Sequence, residues 1–201
     1  MGNADRPLVL ASTSRYRRKL LQRLGCPFLV AAPGVDEAAR PGEGAGAVAL
    51  RLAEAKARAV AAHYADALVI GSDQVADCNG RHVGKPGNRD GALAQLRLLS
   101  GQTVIFHTGV ALVDAHSGRC HVELVDVAST FRALTDAEIV TYVDREQPFD
   151  CAGSVKSEAL GIVLFEQIVS DDPTAQIGLP LIALTRLLRI EGFDVLRQVA
   201  R

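Results

Sequence analysis

The chemistry open to this sequence rests on two acids and three bases in its N-terminal half: Asp73 and Glu37, with Lys56, Lys85 and Arg17. Asp73 and Gln74 follow Gly71-Ser72 at the end of the apolar run Ala67 to Ile70. A carboxylate and an amide just past a buried strand sit where open α/β sheets bind ligands. Asn79-Gly80 tolerates positive φ and predicts a tight hairpin. That hairpin returns Gly84-Lys85-Pro86 beside Asp73, an acid facing a base, with Gly84 leaving room for a ligand. Taken singly, Asp73 also reads as a turn former or N-cap, and Gly-Lys-Pro as a surface turn.

Upstream, Ser12-Thr13-Ser14 joins an apolar strand, Leu8 to Ala11, to a helix from Arg15 to about Leu24, stopped at Gly25. Hydroxyl caps, free N–H groups and the positive end of the helix dipole make such a turn an anion site. Arg17 in its first turn is within reach of a bound phosphate, and simple capping is the alternative. Asp36 and Glu37 fall in a Gly- and Pro-rich loop, Pro33 to Gly46. They suit an oxygen-liganded Mg²⁺ or are merely solvated. Lys56 lies in an Ala-rich helix, Leu50 to Tyr64, where composition alone reads it as a surface solubiliser rather than a phosphate ligand.

The elements that must position these residues alternate. After a second strand, Phe28 to Ala32, and the helix carrying Lys56 with its Glu54–Arg58 pair, comes the Asp73 strand and hairpin. A helix from Asn88 to Leu99 follows, then a long hairpin of Thr103 to Asp114 and Arg119 to Phe131 turning at His116-Ser117-Gly118. The imperfect alternation in its second strand predicts cover on both faces. Thr135 with Glu138 forms a capping box for a helix to about Asp144. A small-residue polar loop, Pro148 to Glu158, leads to a strand, Gly161 to Val169, a turn-rich connector, Asp171 to Gly178, and a closing helix, Leu179 to Ile190, with Pro180 in its first turn. The pattern predicts an α/β fold: a mixed twisted sheet with flanking helices, two lobes around a central ligand-binding groove, in one domain spanning 1–201.

Composition narrows the classes. A net charge of −1 argues against a nucleic-acid polymer or membrane surface as partner, and 4% aromatics without Trp argues against a stacking platform for single strands. Cys26, Cys78, Cys120 and Cys151 form no CxxC pair, and Met1 to Pro7 has no targeting character, so buried reduced thiols in a cytoplasmic protein are expected. The five histidines show no zinc spacing, no run suffices to span a bilayer, and no GxxxxGK[ST] motif supports a P-loop kinase.

LASTSRYRRKLLQRLG, RLAEAKA, GSDQV followed by GKP, and KSEALG before IGLPL, in that order and spacing, resemble the Maf family of nucleotide pyrophosphatases, whose fold is of the Maf/Ham1, ITPase-like type. The resemblance runs from about Leu8 to Glu191. GSDQV, HTGVAL and CAGSVKSEALGIVLFE resemble the subgroup acting on 7-methyl-GTP. The resemblance implies cleavage between the α and β phosphates, with Asp73 as proton acceptor, Lys56 and Lys85 as catalytic lysines facing the phosphates, and Ser12 and Arg17 as phosphate-binding residues. It also implies Glu37 with Asp73 beside a divalent cation, Mg²⁺ or Mn²⁺, and Tyr16, Gln74 and Glu158 as substrate-specificity positions. Tyr16 stands where the methylguanine-type enzymes often carry Trp. A small-molecule nucleotide substrate and a homodimer are implied. A dTTP/UTP pyrophosphatase of the same family, or a nucleotide-binding regulator of cell division that needs no turnover, are the alternatives.

Overall fold

The computed structural model describes residues 6–200. Met1 to Asp5, part of the segment read as non-targeting, and Arg201 lie outside the described residues. The strands are β1 (Leu8–Ala11), β2 (Phe28–Ala31), β3 (Leu68–Cys78), β4 (Arg81–Val83), β5 (Thr103–Asp114), β6 (Cys120–Phe131) and β7 (Phe165–Val169). The helices are α1 (Arg15–Gln22), α2 (Ala45–Ala61), α3 (Arg89–Leu99), α4 (Asp136–Glu146), α5 (Leu181–Ile190) and α6 (Val195–Val199). The sheet runs β2-β1-β3-β5-β6-β7, with β4 added to β3. β1 is parallel to β2 and to β3, and the remaining pairs are antiparallel, so the sheet is mixed as expected.

One feature of the pairing creates the site. β5 follows β3 from Leu68 to Asp77 along one edge. On the other edge β1 covers only Leu68 to Ile70, and β4 covers only Ala76 to Cys78. The stretch Gly71 to Val75 is therefore a gap in the sheet, flanked by the end of β1 and the end of the β3–β4 hairpin. The strand does not stop at Ile70, as the sequence led one to expect; it runs through Asp73 because β5 keeps supplying backbone partners.

Gly71 is not a terminator. A Cβ there would lie 2.1 Å from the Ala53 carbonyl oxygen and 2.7 Å from the Ala57 nitrogen, and one at Gly109 would lie 2.5 Å from the Ala49 oxygen. These two glycines let the α2 backbone settle directly on the sheet. The same packing explains why α2 begins at Ala45, inside the stretch read as a loop. Gly46 is helical, and a Cβ on it would meet the Leu124 side chain at 2.9 Å. Gly71→Ala is therefore expected to cost about 3 kcal/mol through forced helix–sheet separation. Urea denaturation checks this, and an unshifted midpoint contradicts the close approach.

α2 covers one face over Val9, Ala11, Val69, Ala111 and Val113. The opposite face carries two groups of helices over one continuous core. Leu10, Ile70 and Leu112 share it with α1 and α5 residues, and Phe106 and Val127 share it with α3 and α4 residues. These groups are the two lobes, and the gap in the sheet opens between them.

Several local signals hold. Asn79 and Gly80 have φ of 55° and 81°, Asn88 caps α3, and Thr135 and Glu138 form the capping box. Glu54 and Arg58 pair at 2.6 Å. Others need correction. The segment read as a strand from Gly161 is a 3-10 turn over Leu160–Leu164 before β7; it packs against the preceding loop so closely that a Cβ at Gly161 would lie 2.5 Å from the Lys156 carbonyl oxygen. Pro180 is the N-cap of α5, not a first-turn residue. β6 is covered on both faces only towards its end, and Val122 is exposed. All four cysteines are free, but Cys120 and Cys151 are only partly buried.

Candidate active site

Strand alternation distributes β3 side chains across the gap. Asp73 shares the face of Gly71 and Val69, towards α2, while Ser72 and Gln74 face the other way. A cavity of about 640 Å³ spans both sides, reached by Lys56, Leu52 and Glu37 from one and by Tyr16, Phe106 and Gln176 from the other. That volume is within the roughly 300–1,000 Å³ range of small-molecule sites. All eight residues singled out from the sequence, together with Glu37, line it: Ser12, Tyr16, Arg17, Lys56, Asp73, Gln74, Lys85 and Glu158.

Lys56 is buried, which overturns its reading as a surface solubiliser. The small residues of α2 bring its backbone close to the sheet, so the lysine stem runs inside. Its side chain is 4% exposed, and its Nζ lies 2.6 Å from Asp73 Oδ1 and 2.6 Å from Glu37 Oε1. One ammonium thus bridges two carboxylates, one nearly buried and one at the cavity mouth. Burial raises the proton affinity of Glu37, but the Lys56 ammonium, with Lys85 and Arg17, outweighs it and holds the carboxyl below its ordinary range. Lys85 follows β4 as the hairpin predicted, and a Cβ on Gly84 would meet nothing within 4 Å, so the glycine borders open space.

The hydroxyl-rich turn before α1 forms as expected. Ser14 caps α1 by accepting from the Arg17 N–H, and the Ser12 hydroxyl oxygen accepts from the Ser14 N–H at 3.1 Å, leaving its own proton for a ligand. The Arg17 Nε donates to the Gly178 carbonyl at 2.8 Å, which the Ser72 hydroxyl also reaches at 2.9 Å. Burial weakens the guanidinium's hold on its proton, while Asp73 and Glu37 strengthen it. Arginine remains charged in such surroundings.

The far end has different chemistry. The Gln74 amide nitrogen donates to Thr108 Oγ1 at 3.0 Å and to the carbonyls of Ala175 and Gln176 at 2.9 and 3.2 Å. Carbonyl oxygens only accept, so these contacts fix the amide, and Gln74 offers its oxygen, an acceptor, to a ligand. Burial above all lifts the Tyr16 phenol well above its ordinary pKa, so it stays neutral. Burial likewise pushes the Cys151 thiol up to about 11, so the one cysteine lining the cavity is not a nucleophile near neutral pH.

Several lining residues escaped the sequence reading, Asp150, Cys151 and Gln176 among them. Asp150 and Cys151 stand in the small-residue loop after α4, and Gln176 stands in the connector before α5. A carboxylate opening the polar run DCAGSVKSE was the signal available for Asp150.

Among the described residues no group of three or more His, Cys, Asp or Glu side chains is placed to hold a metal ion. Two carboxylates around one cation position nevertheless fit Mg²⁺, which is commonly bound through one or two carboxylates plus substrate phosphates rather than by an all-protein cage. They do not fit a structural zinc centre.

Fold and cavity together define an α/β cleft protein whose cleft complements a small ligand with an anionic tail. The chain belongs to the Maf family: the model of Maf-like proteins matches residues 7–191. It is 58% identical over 188 residues to a 7-methyl-GTP pyrophosphatase of a Polaromonas species, covering 94% of this chain and 86% of that protein. It is also 58% identical over 185 residues to the 7-methyl-GTP pyrophosphatase of Aromatoleum aromaticum, covering 92% and 95% of the two chains. Identity to the protein of that name from Thiobacillus denitrificans is 54% over 189 residues, 94% of each chain.

Proposed function

We propose that this chain hydrolyses 7-methyl-GTP to 7-methyl-GMP and pyrophosphate, and so removes a modified nucleotide from the pool. The observation that carries it is one cavity joining Asp73 and three cationic side chains to an aromatic ring, a fixed amide acceptor and Glu158. Identity above one half to proteins named for that activity supports the same substrate. Ser12, Arg17, Lys56 and Lys85 hold the triphosphate and offset the charge that builds up as the α–β bridge breaks. Asp73 takes the proton of the attacking water. Asp73 and Glu37 would hold a divalent cation, Mg²⁺ or Mn²⁺, jointly with the phosphates, and that ion supplies further charge neutralisation. Pyrophosphate leaves intact.

At the base end, methylation at N7 makes guanine cationic. Tyr16 stacks on it, a cation–π contact of about 0.5–2 kcal/mol. The Gln74 oxygen and the Glu158 carboxylate accept from the guanine N–H edge, and the Glu158 charge favours the cation. The protein works as a single Maf-like domain, a homodimer in the cytoplasm, as the family resemblance implies. Among the described residues no helix is long and apolar enough to cross a membrane.

A panel of 7-methyl-GTP, GTP, dTTP and UTP with Mg²⁺, read as pyrophosphate release, tests this. The expected order places 7-methyl-GTP first in kcat/KM. Glu158→Gln is expected to cost about tenfold or more on 7-methyl-GTP, the size of a lost charge-assisted hydrogen bond, and less on dTTP. Equal losses on both remove the specificity role, and no pyrophosphate from any of the four removes the activity.

A further inference from the structure

The base end of the cleft carries an acid that the proposed chemistry has not used. Asp150 lines the cavity mouth beside Tyr16. The Tyr16 hydroxyl donates to Asp150 Oδ1 at 3.1 Å, and Arg15 Nη2 lies 3.6 Å from Asp150 Oδ2. Arg15 Nη2 also donates to the Tyr16 hydroxyl at 2.7 Å, and its guanidinium carbon stands over the Tyr16 ring, 4.8 Å from the centroid. Burial raises the Asp150 carboxyl's proton affinity, but the Tyr16 and Cys151 donors and Arg15 outweigh it, so Asp150 stays ionised.

This arrangement poses an electrostatic problem. One face of the stacking ring already bears a cation. A cationic base on the other face meets a ring whose negative quadrupole is shared with Arg15, and it also meets the Arg15 charge itself. Lys156 keeps its charge but donates its ammonium to the Glu146 and Gln147 carbonyls at the end of α4, while Arg15 is the cation over the ring itself. Around the ring, the cavity-lining carboxylates Asp150 and Glu158 stand against the Arg15 guanidinium. Without Asp150, Glu158 alone is left to offset the Arg15 charge at this end.

We propose that Asp150 is a specificity-determining residue: its carboxylate offsets Arg15 across the Tyr16 ring and so lets the cleft prefer a base bearing a positive charge over its neutral counterpart. The proposal rests on the 7-methyl-GTP reading and adds to it the source of discrimination against GTP. Asp150 is a half-exposed side chain whose oxygen an asparagine reproduces, so Asp150→Asn keeps the Tyr16 hydrogen bond and removes only the charge.

The test measures kcat/KM for 7-methyl-GTP and for GTP in the wild type, in Asp150→Asn, and in Asp150→Asn/Arg15→Gln, with thermal melts to confirm folding. Asp150→Asn is expected to lower the ratio of 7-methyl-GTP to GTP by about fivefold, the scale of one partly exposed charge a few ångströms away. The double variant, which removes both charges, is expected to return the ratio towards the wild-type value, an outcome that a merely structural role for Asp150 does not produce. An unchanged ratio in Asp150→Asn, or a double variant as unselective as the single one, overturns the proposal. A wild type that does not prefer 7-methyl-GTP overturns the substrate reading, and this inference with it.

Discussion

Asp73→Asn is expected to lower kcat on 7-methyl-GTP by about three orders of magnitude while leaving KM within about threefold, the range lost when a general base is removed. Asparagine has the shape of aspartate and keeps an oxygen for the Lys56 ammonium, now 2.6 Å from Asp73 Oδ1. What it lacks is the capacity to take a proton. The expected split between kcat and KM therefore separates chemistry from binding, because Arg17, Lys85 and Ser12 still meet the phosphates. Stability changes little, since Lys56 retains Glu37 as its partner at 2.6 Å. Initial rates of pyrophosphate release over a substrate range check this. A variant with near-normal kcat would show that Asp73 does not prime the water, and a variant with normal kcat but greatly raised KM would reassign it to binding alone.

Lys56→Met is expected to fail in two ways at once. Methionine fills the volume of the lysine stem but leaves Asp73 and Glu37 without the cation that bridges them. Asp73 is 8% exposed, so its charge is then buried without its partner. Removing one member of a buried ion pair costs about 3–5 kcal/mol, and the half-exposed Glu37 contributes little to that figure because solvent screens it. Activity falls by about 10²- to 10³-fold, as expected when one preorganised charge facing the transition state is lost. The double variant Lys56→Met/Asp73→Asn separates the two effects. Its stability is expected to recover most of the loss, because the unpartnered charge is gone, while its activity stays at or below that of either single variant. Urea denaturation with parallel rate measurements reads both quantities. An unaltered denaturation midpoint for Lys56→Met would show that the ammonium does not offset the cost of burying the Asp73 side chain.

The gathering of Ser12, Arg17 and Lys85 around one cavity was legible in the sequence, because its parts are local signals. A hydroxyl-rich turn between strand and helix and an Asn-Gly hairpin returning a lysine are each set by a few adjacent residues, and the structure brings them to one cavity. Glycines misled where their role was tertiary. Gly71 and Gly46 read as breakers, yet each is small because α2 lies against the sheet, a contact between segments distant in the chain. That same contact buries Lys56, whose i−4 and i+4 neighbours Leu52 and Val60 are buried too, a helical spacing that the Ala-rich composition masked. The gap in the sheet was likewise hidden, since it depends on how far β1 and β4 extend along β3. Asp150 and Gln176 come from irregular segments whose path is fixed by the helices around them, so periodicity could not assign them to the site.

The most direct test of the account is a crystal structure of the Asp73→Asn protein soaked with 7-methyl-GTP and Mg²⁺. The account predicts the triphosphate in the sheet gap, contacted by Lys56, Lys85 and Arg17, with the α–β bridge beside residue 73 and the base against Tyr16. A triphosphate seated away from residue 73, or a base and tail bound in the reverse sense along the cleft, would contradict it.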